Sequence, residues 1–204
     1  MCRADNDVWM REGTNAAGED IWEYILVYSD DLLMIARDPA EIAHMLDQHC
    51  KLKDGSVKSP DQYLGANIGK LYFADGTFAW YMSSESYCKA AVQNIELWLE
   101  KRKSPGLPTR TACVFPSGWK PETDTTDELN EEDAHYYMQQ IGVLRWLVEL
   151  GRVDICTEVS MLAAFSACPR QGHMGAVLHL YGYLKKHPWS KLVFDPSPMD
   201  HDAM

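Results

Sequence analysis

The chain has 204 residues, of which 46% are apolar, and a formal net charge of −11. That length and composition are sufficient for a buried core in one or two domains. No apolar run reaches the roughly 18 residues of a membrane-spanning helix. The N-terminal residues lack the apolar core of a secretion signal, and the six cysteines form no C-x-x-C pair. These features predict an intracellular protein, in the cytoplasm or nucleus, with reduced thiols.

The negative charge argues at face value against binding of nucleic acid, but it is unevenly distributed. Seven acids and no base lie between Pro121 and Asp133. Three more acids lie in the tail, at Asp195, Asp200 and Asp202. The remaining sequence is close to neutral, so the net charge does not exclude a nucleic-acid partner.

The first predicted elements are a short strand at residues 8–10, a polar loop at 12–20, and a β-hairpin. Tyr24 to Tyr28 and Leu32 to Ile35 are apolar runs of strand length. Between them stand the turn formers Ser29, Asp30 and Asp31. The sequence therefore predicts two antiparallel strands with two carboxylates at the tip. An isolated Asp-Asp turn is usually only solvated, but adjacent carboxylates repel each other unless a cation is bound, and Mg²⁺ prefers such oxygens.

The whole string from Ile21 to Ala36 resembles the palm hairpin of reverse transcriptases. The copia-type retrotransposon polymerases usually have Tyr-Val-Asp-Asp-Leu-Leu there, and this chain has Ser29 where the Val would be. The resemblance implies that Asp30 and Asp31 are catalytic, metal-binding carboxylates. It also implies that Tyr28 and Ser29 border the primer end.

A helix follows, with Asp38 as its cap, and then a second hairpin. The run from Tyr63 to Phe73 and its return strand, Phe78 to Met82, flank an Asp-Gly turn. Gly65 within a strand pattern predicts a bulge or a close backbone approach. The four residues Tyr63, Leu64, Gly65 and Ala66 resemble the primer grip of reverse transcriptases, which holds the primer 3′ end against the catalytic acids.

The next helix is predicted from Ser83 or Ser84 to about Arg102. Prolines and glycines then exclude regular structure, and the acidic run follows. Residues 103–130 are therefore predicted to be a long surface connection.

Asn130 is predicted to cap a helix that ends at Leu150, with Gly151 as its stop. Gly142 in mid-helix indicates close packing or close approach of a ligand, because a helical glycine costs about 1 kcal/mol relative to alanine. The segment from Gln140 to Trp146 resembles the thumb helix that lies in the minor groove of the primer–template duplex. The resemblance implies that Gly142 and Trp146 track that duplex.

Two further helices are predicted, one capped by Asp154 and ending near Ala167, the other from about Gly172 to His187. A short strand is predicted between Trp189 and Phe194. The segments Gly151–Ile155 and Tyr183–Lys186 also resemble the copia-type pattern. The resemblance thus extends over residues 4–195.

The predicted fold class is α+β. Residues 1–82 would be a partial palm of antiparallel hairpins with a packing helix, residues 83–187 a helical thumb and connection, and residues 188–204 a short strand and tail. The resemblance implies two-metal nucleotidyl transfer in the intact enzyme, with Mg²⁺ or alternatively Mn²⁺. Its partners would be an RNA template, a DNA primer duplex and deoxynucleoside triphosphates.

The family's third palm carboxylate and its fingers have no match in this sequence. Asp5 and Asp7 stand where the family has only a linker. The missing half would lie upstream or in another chain, and activity of this chain alone does not follow from the resemblance. The alternative hypothesis is a non-catalytic remnant of such an element that binds nucleic acid or protein.

Overall fold

The computed structural model of the protein describes residues 2–3 and 5–194. The chain forms two compact units, Met1–Leu64 and Gly65–Met204. The predicted boundary after residue 82 lies inside a strand of the second unit. No helix in the described part of the chain is long and apolar enough to cross a membrane.

The first unit contains a three-stranded antiparallel sheet in the order β1 (Val8–Thr14), β2 (Asp20–Tyr28), β3 (Asp31–Ile35). Tyr28 pairs with Asp31 and Tyr24 with Ile35, so the predicted hairpin is confirmed. The predicted loop at 12–20 is wrong in its bounds. Pairing of β1 with β2 continues to Thr14 and Asp20 because the cross-strand ladder compensates for the polar sequence, leaving a loop of residues 15–19.

A buried carboxylate explains part of this longer pairing. The Glu23 side chain accepts a hydrogen bond of 2.6 Å from Arg11 Nε on β1 and one of 3.0 Å from the Arg37 backbone N–H. These bonds lower the pKa of Glu23. Gly13 leaves room for the carboxylate, since a Cβ there would lie 3.0 Å from Glu23 Cγ. A polar pair thus ties the end of β1 to β2.

The predicted helix after the hairpin is α1 (Pro39–Asp47). The Asp38 side chain accepts a hydrogen bond of 3.1 Å from the Glu41 N–H, as expected of an N-cap. Ile42 and Ala43 are its buried residues. A short strand, β4 (Gln62–Tyr63), comes just before the end of the first unit.

The sheet of the second unit contains β5 (Ala66–Tyr72), β6 (Phe78–Ser83) and β7 (Leu192–Phe194), paired antiparallel in that order. The predicted turn at Asp75-Gly76 is present. Gly76 has a φ of +86°, and the Asp75 carboxylate accepts from the Thr77 N–H at 2.9 Å. The short strand predicted near the end of the chain is confirmed as β7.

Four helices build the main core: α2 (Glu85–Lys101), α3 (Glu131–Glu149), α4 (Cys156–Ala163) and α5 (Gln171–Lys186). The predicted caps hold in part. The Asn130 side chain accepts from the Asp133 N–H at 2.9 Å. At the start of α2, Ser84 makes no side-chain cap bond, but the Ser83 hydroxyl accepts from the Glu85 N–H at 3.3 Å. Fully buried members of the core include Ile95, Leu144, Leu147, Leu162, Leu180 and Leu184.

A buried arginine joins three parts of this core. The guanidinium of Arg152 is 1% exposed and donates two hydrogen bonds of 2.8 Å to the carboxylate of Asp154. It donates a third, also 2.8 Å, to the His187 carbonyl, and lies 3.8 Å from the Cys88 sulfur. The prediction that Asp154 caps a helix is therefore wrong. Its carboxylate is occupied by Arg152, a 3₁₀ turn spans Val153–Ile155, and α4 begins after it.

The structure agrees with a mostly exposed connection at 103–130 that has little regular structure, but it adds buried contacts that were not predicted. Several of its residues are buried, among them Leu107, Thr111 and Pro121. Its acidic end is bonded to the start of α5. Arg170 donates to the Thr126 carbonyl at 2.6 Å, and the Gly172 N–H donates to the Thr126 hydroxyl at 2.8 Å. Polar side chains here pair with groups more than 40 residues away, which composition does not reveal.

Candidate nucleic-acid interface

The turn of the β2–β3 hairpin carries the side chains that are the best candidates for metal binding or catalysis. Ser29 and Asp30 form the two-residue connection, and Asp31 is the first residue of β3. Ser29 has a φ of +53°. Two-residue hairpin turns require this left-handed conformation at their first or both central positions, where glycine is preferred. The tight turn holds the two carboxylates next to each other at the tip of a paired ladder.

Both carboxylates face solvent, as the side chains of Tyr28, Ser29, Asp30 and Asp31 are all exposed. A ligand could therefore approach them directly. Tyr63, from the same unit, is close enough to be affected electrostatically. Its pKa is raised, first by burial and then by the negative charge of Asp31. The start of the primer-grip-like segment thus lies within electrostatic range of the acidic tip.

The acidic tip supplies only part of a metal site. Within the described residues, no group of three or more His, Cys, Asp and Glu side chains is arranged to hold a metal ion. Hard divalent ions take six or more oxygen ligands, several of them from carboxylates or water. Asp30 and Asp31 could contribute two carboxylates of a site that needs a further acidic ligand to be complete.

The primer-grip-like segment forms a sharp bend. Leu64 has a φ of +51° and Gly65 a φ of +89°, so two consecutive residues are left-handed. Gly65 stands between β4 and β5, so the expected bulge within a strand is replaced by this bend. The positive φ, rather than a close approach, accounts for this glycine, because the atoms that a Cβ would meet lie at ordinary contact distances. A Cβ on Gly65 would lie 3.8 Å from Leu150 Cδ1 and 4.0 Å from Trp146 Nε1.

Two of the predicted site residues therefore meet in the second unit, because Trp146 on α3 lies against Gly65. Trp146 is half-buried, so one part of its indole packs and another part reaches the surface. Gly142, one turn earlier on α3, is exposed, and a Cβ there would meet no atom within 4 Å. Packing among the described residues does not explain this glycine. The surface of α3 at Gly142 is exposed.

A second surface was missed by sequence reasoning. Tyr72, Phe78 and Trp80 form a row of aromatic rings on one face of the β5–β6 hairpin, with ring centroids 5.8 Å and 6.1 Å apart. The ammonium of Lys70 lies 4.1 Å from the centroid of Phe78 and 4.8 Å from that of Trp80. The signal was the alternation of large aromatic residues along a strand, which places them on one face. The sequence pattern alone indicates only a strand.

The comparisons with known proteins give one curated relative. The chain is 30% identical over 165 residues to the "Putative transposon Ty5-1 protein YCL074W" of Saccharomyces cerevisiae. The match covers 79% of this chain and 48% of the relative, so the chain spans about half the length of the curated protein it matches. No family model and no solved structure matches the chain. The similarity supports a retrotransposon-derived origin.

Proposed function

We propose that this chain is part of an RNA-directed DNA polymerase of a copia-type retrotransposon. In the intact enzyme, a primer 3′-hydroxyl would attack a deoxynucleoside triphosphate while an RNA template directs the choice of nucleotide. This chain would contribute the catalytic carboxylates Asp30 and Asp31, part of the primer-binding surface, and the helix that contacts the primer–template duplex.

One observation carries the proposal: Tyr28-Ser29-Asp30-Asp31 forms the tight turn of an antiparallel hairpin, with both carboxylates exposed at its tip. The pairing of Tyr28 with Asp31 fixes the backbone on either side of the acids. The similarity to a transposon protein gives independent support.

The second unit would bind the nucleic acid. Gly65, in the primer-grip-like segment, lies within the second unit beside Trp146, because a Cβ on Gly65 would be 4.0 Å from Trp146 Nε1. At Gly142 the helix has no side chain and no packing neighbour, so a sugar–phosphate backbone could approach it closely. Trp146 would then stack against sugars of the duplex. This gives the exposed surface of α3 at Gly142 a function that packing among the described residues does not supply.

Bound Mg²⁺, or Mn²⁺ in its place, would stabilise the negative charge that develops during phosphoryl transfer. Asp30 and Asp31 would hold it together with an acidic residue outside this chain. For this chain's own residues, the task is to present two oxygen ligands in a fixed geometry. Misplacement of reacting groups by about 1 Å can lower a rate roughly a hundredfold. The rigid hairpin is suited to that requirement.

The isolated chain provides the first test. We expect residues 1–204 to show no templated DNA synthesis in a primer-extension assay with Mg²⁺ or Mn²⁺, because two adjacent carboxylates form an incomplete metal site. The Asp30→Asn, Asp31→Asn variant defines the background. Extension above that background would show that the described chain supplies a complete site, and the partial-site proposal would be wrong.

The decisive test uses a longer protein that joins this chain to the missing palm and fingers, in one polypeptide or as two. We expect primer extension that Asp30→Asn and Asp31→Asn each abolish without changing the melting temperature. Asp20→Asn is the matched control, because Asp20 is an exposed acid at the opposite end of β2. Equal loss of extension in Asp20→Asn, or retained extension in the Asp30 and Asp31 variants, would refute the assignment.

A further inference from the structure

The β5–β6–β7 sheet has a face that the proposed polymerase function does not use. Cross-strand pairs place Lys70 beside Trp80, Tyr72 beside Phe78, and Trp80 beside Phe194. We call the surface formed by Lys70, Tyr72, Phe78 and Trp80 the Lys70 face. It lies within the second unit and is separate in sequence from Gly142 and Trp146.

The aromatic rings on this face remain open to solvent. Tyr72 is 68% exposed and Phe78 is 38% exposed, and Phe194 beside them is 51% exposed. Single exposed apolar residues need no explanation, but a contiguous group of them indicates an interaction surface. The Tyr72 and Phe78 rings are tilted by 52°, and those of Phe78 and Trp80 by 84°. The Lys70 ammonium lies over Phe78 and Trp80, so a flat ligand on those two ring faces would take its place, whereas Tyr72 is the most exposed ring.

We propose that the Lys70 face binds single-stranded nucleic acid, with bases stacked on the aromatic rings and Lys70 contacting a phosphate. Phe78 and Trp80 are two residues apart on one strand, which separates them by roughly 6.5–7 Å. That distance suits neighbouring bases that have been unstacked from each other. Aromatic side chains on a sheet surface bind single strands in this way without strong sequence preference.

The charge on the face favours nucleic acid over a protein partner. Lys70 is exposed and its ammonium lies over two rings, so a phosphate next to a stacked base would meet a positive charge. The positions that share this face in β5, β6 and β7 include no acid: they are Ile68, Lys70, Tyr72, Phe78, Trp80, Met82, Leu192 and Phe194. The nearest acid in sequence, Asp75, lies in the turn and is bonded to the Thr77 N–H and hydroxyl.

This inference does not depend on polymerase activity. A single strand on the Lys70 face would be bound whether or not the acidic hairpin catalyses a reaction. The proposed function is tested by primer extension and by binding of a duplex hybrid. The Lys70 face is tested by binding of a single strand, so the two can fail separately.

The experiment measures fluorescence anisotropy of a labelled oligo-dT titrated with the full chain, in salt from about 50 to 200 mM. Tyr72→Ala and Trp80→Ala should each weaken binding about 5- to 150-fold, the range for loss of one stacked base. Lys70→Ala should weaken binding and reduce the magnitude of the log–log salt slope by about 0.7, as expected for loss of one phosphate contact on a single strand. The melting temperature of each variant is measured in parallel to confirm that the variant is folded.

Trp22→Ala is the matched control, because Trp22 is 49% exposed on a strand of the first unit. It should bind oligo-dT like the wild type. If Trp80→Ala does not fold, Tyr72→Ala still tests the proposal, because the more exposed Tyr72 contributes less to packing. Wild-type binding by folded Tyr72→Ala and Lys70→Ala would overturn the proposal. Self-association of the wild type that Tyr72→Ala abolishes, without oligo-dT binding, would also overturn it and assign the face to a protein interface.

Discussion

Arg152 and Asp154 are joined by two hydrogen bonds of 2.8 Å each, from one guanidinium to one carboxylate. The arginine is almost fully buried, and its third bond reaches the His187 carbonyl just after α5. Burial raises the pKa of Asp154, but the hydrogen bond and charge of Arg152 outweigh that effect and lower it. A segment that resembles a polymerase motif thus has a structural role in this chain.

The first prediction concerns that arginine. Removing one member of a buried ion pair leaves the other uncompensated, which typically costs about 3–5 kcal/mol. Because the Asp154 side chain is 37% exposed, water can compensate part of the loss, so we expect Arg152→Ala to lower the free energy of unfolding by less than this range. Arg152→Lys should also destabilise the protein, because an ammonium cannot reproduce the paired geometry. Chemical denaturation measures both, and the exposed Arg145→Ala should stay within about 0.5 kcal/mol of the wild type.

The second prediction concerns pH. The folded-state pKa of Asp154 lies below the ordinary value of 3.8, so ionisation of this carboxylate favours the folded state. That contribution is complete above the unfolded pKa and is lost as the pH falls through the folded pKa. We expect the stability difference between wild type and Asp154→Asn to be constant near neutral pH and to shrink below about pH 4. A difference that grows on acidification would contradict the described pairing.

The third prediction concerns the turn of the acidic hairpin. The left-handed conformation costs a non-glycine residue roughly 1–2 kcal/mol, and Ser29 adopts it with a φ of +53°. We expect Ser29→Gly to stabilise the hairpin and the β-branched Ser29→Val to destabilise it. Hydrogen exchange of the β2–β3 amides would report both changes. Ser56→Gly, at an exposed position without a positive φ, should give no gain.

The fourth prediction separates helix stability from ligand binding at Gly142. Alanine is favoured over glycine in a helix by about 1 kcal/mol, and a Cβ at Gly142 meets no neighbour. Gly142→Ala should therefore stabilise the protein while weakening its binding to an RNA–DNA hybrid. Gly175→Ala is the matched control, since Gly175 is exposed in α5 and equally open. It should stabilise the protein and leave hybrid binding unchanged.

The fifth prediction concerns Trp146. Because this side chain is half-buried, Trp146→Ala should cost less than the roughly 3–5 kcal/mol of a fully buried tryptophan, yet weaken hybrid binding. Trp98 offers a comparison, as it is also half-buried and stacks on Tyr136 at 4.2 Å. Trp98→Ala should lose stability and keep hybrid binding. A full core-sized loss for Trp146→Ala with unchanged binding would assign Trp146 to the core.

Local patterns predicted the elements whose stabilising contacts are local. The β2–β3 hairpin follows from two apolar runs and a turn, and α1 from Asp38 at its cap. Gly151, with a φ of +98°, ends α3 as expected. The acidic part of the candidate site was predictable for the same reason, because Asp30 and Asp31 are neighbours in sequence and so lie at the same hairpin tip. Only the structure could show that Trp146 lies beside Gly65.

The failures arise where distant residues determine the local structure. Asp154 would have capped a helix if Arg152 were not held in the core by His187 and Cys88. The bonds of Thr126 to Arg170 and Gly172 likewise join the exposed acidic connection to the start of α5, more than 40 residues away. These contacts depend on the packed helices, so no window along the sequence contains them.

The pairing of β6 with β7 has a consequence for biosynthesis. Trp80 and Phe194 are cross-strand partners, yet the whole helical segment separates them along the chain. While the polypeptide emerges from the ribosome, β6 is synthesised long before β7. The edge of β6 that pairs with β7 therefore stays unpaired during this time. An exposed strand edge can pair with another chain. The second unit is therefore most vulnerable to aggregation in the interval between the synthesis of β6 and that of β7.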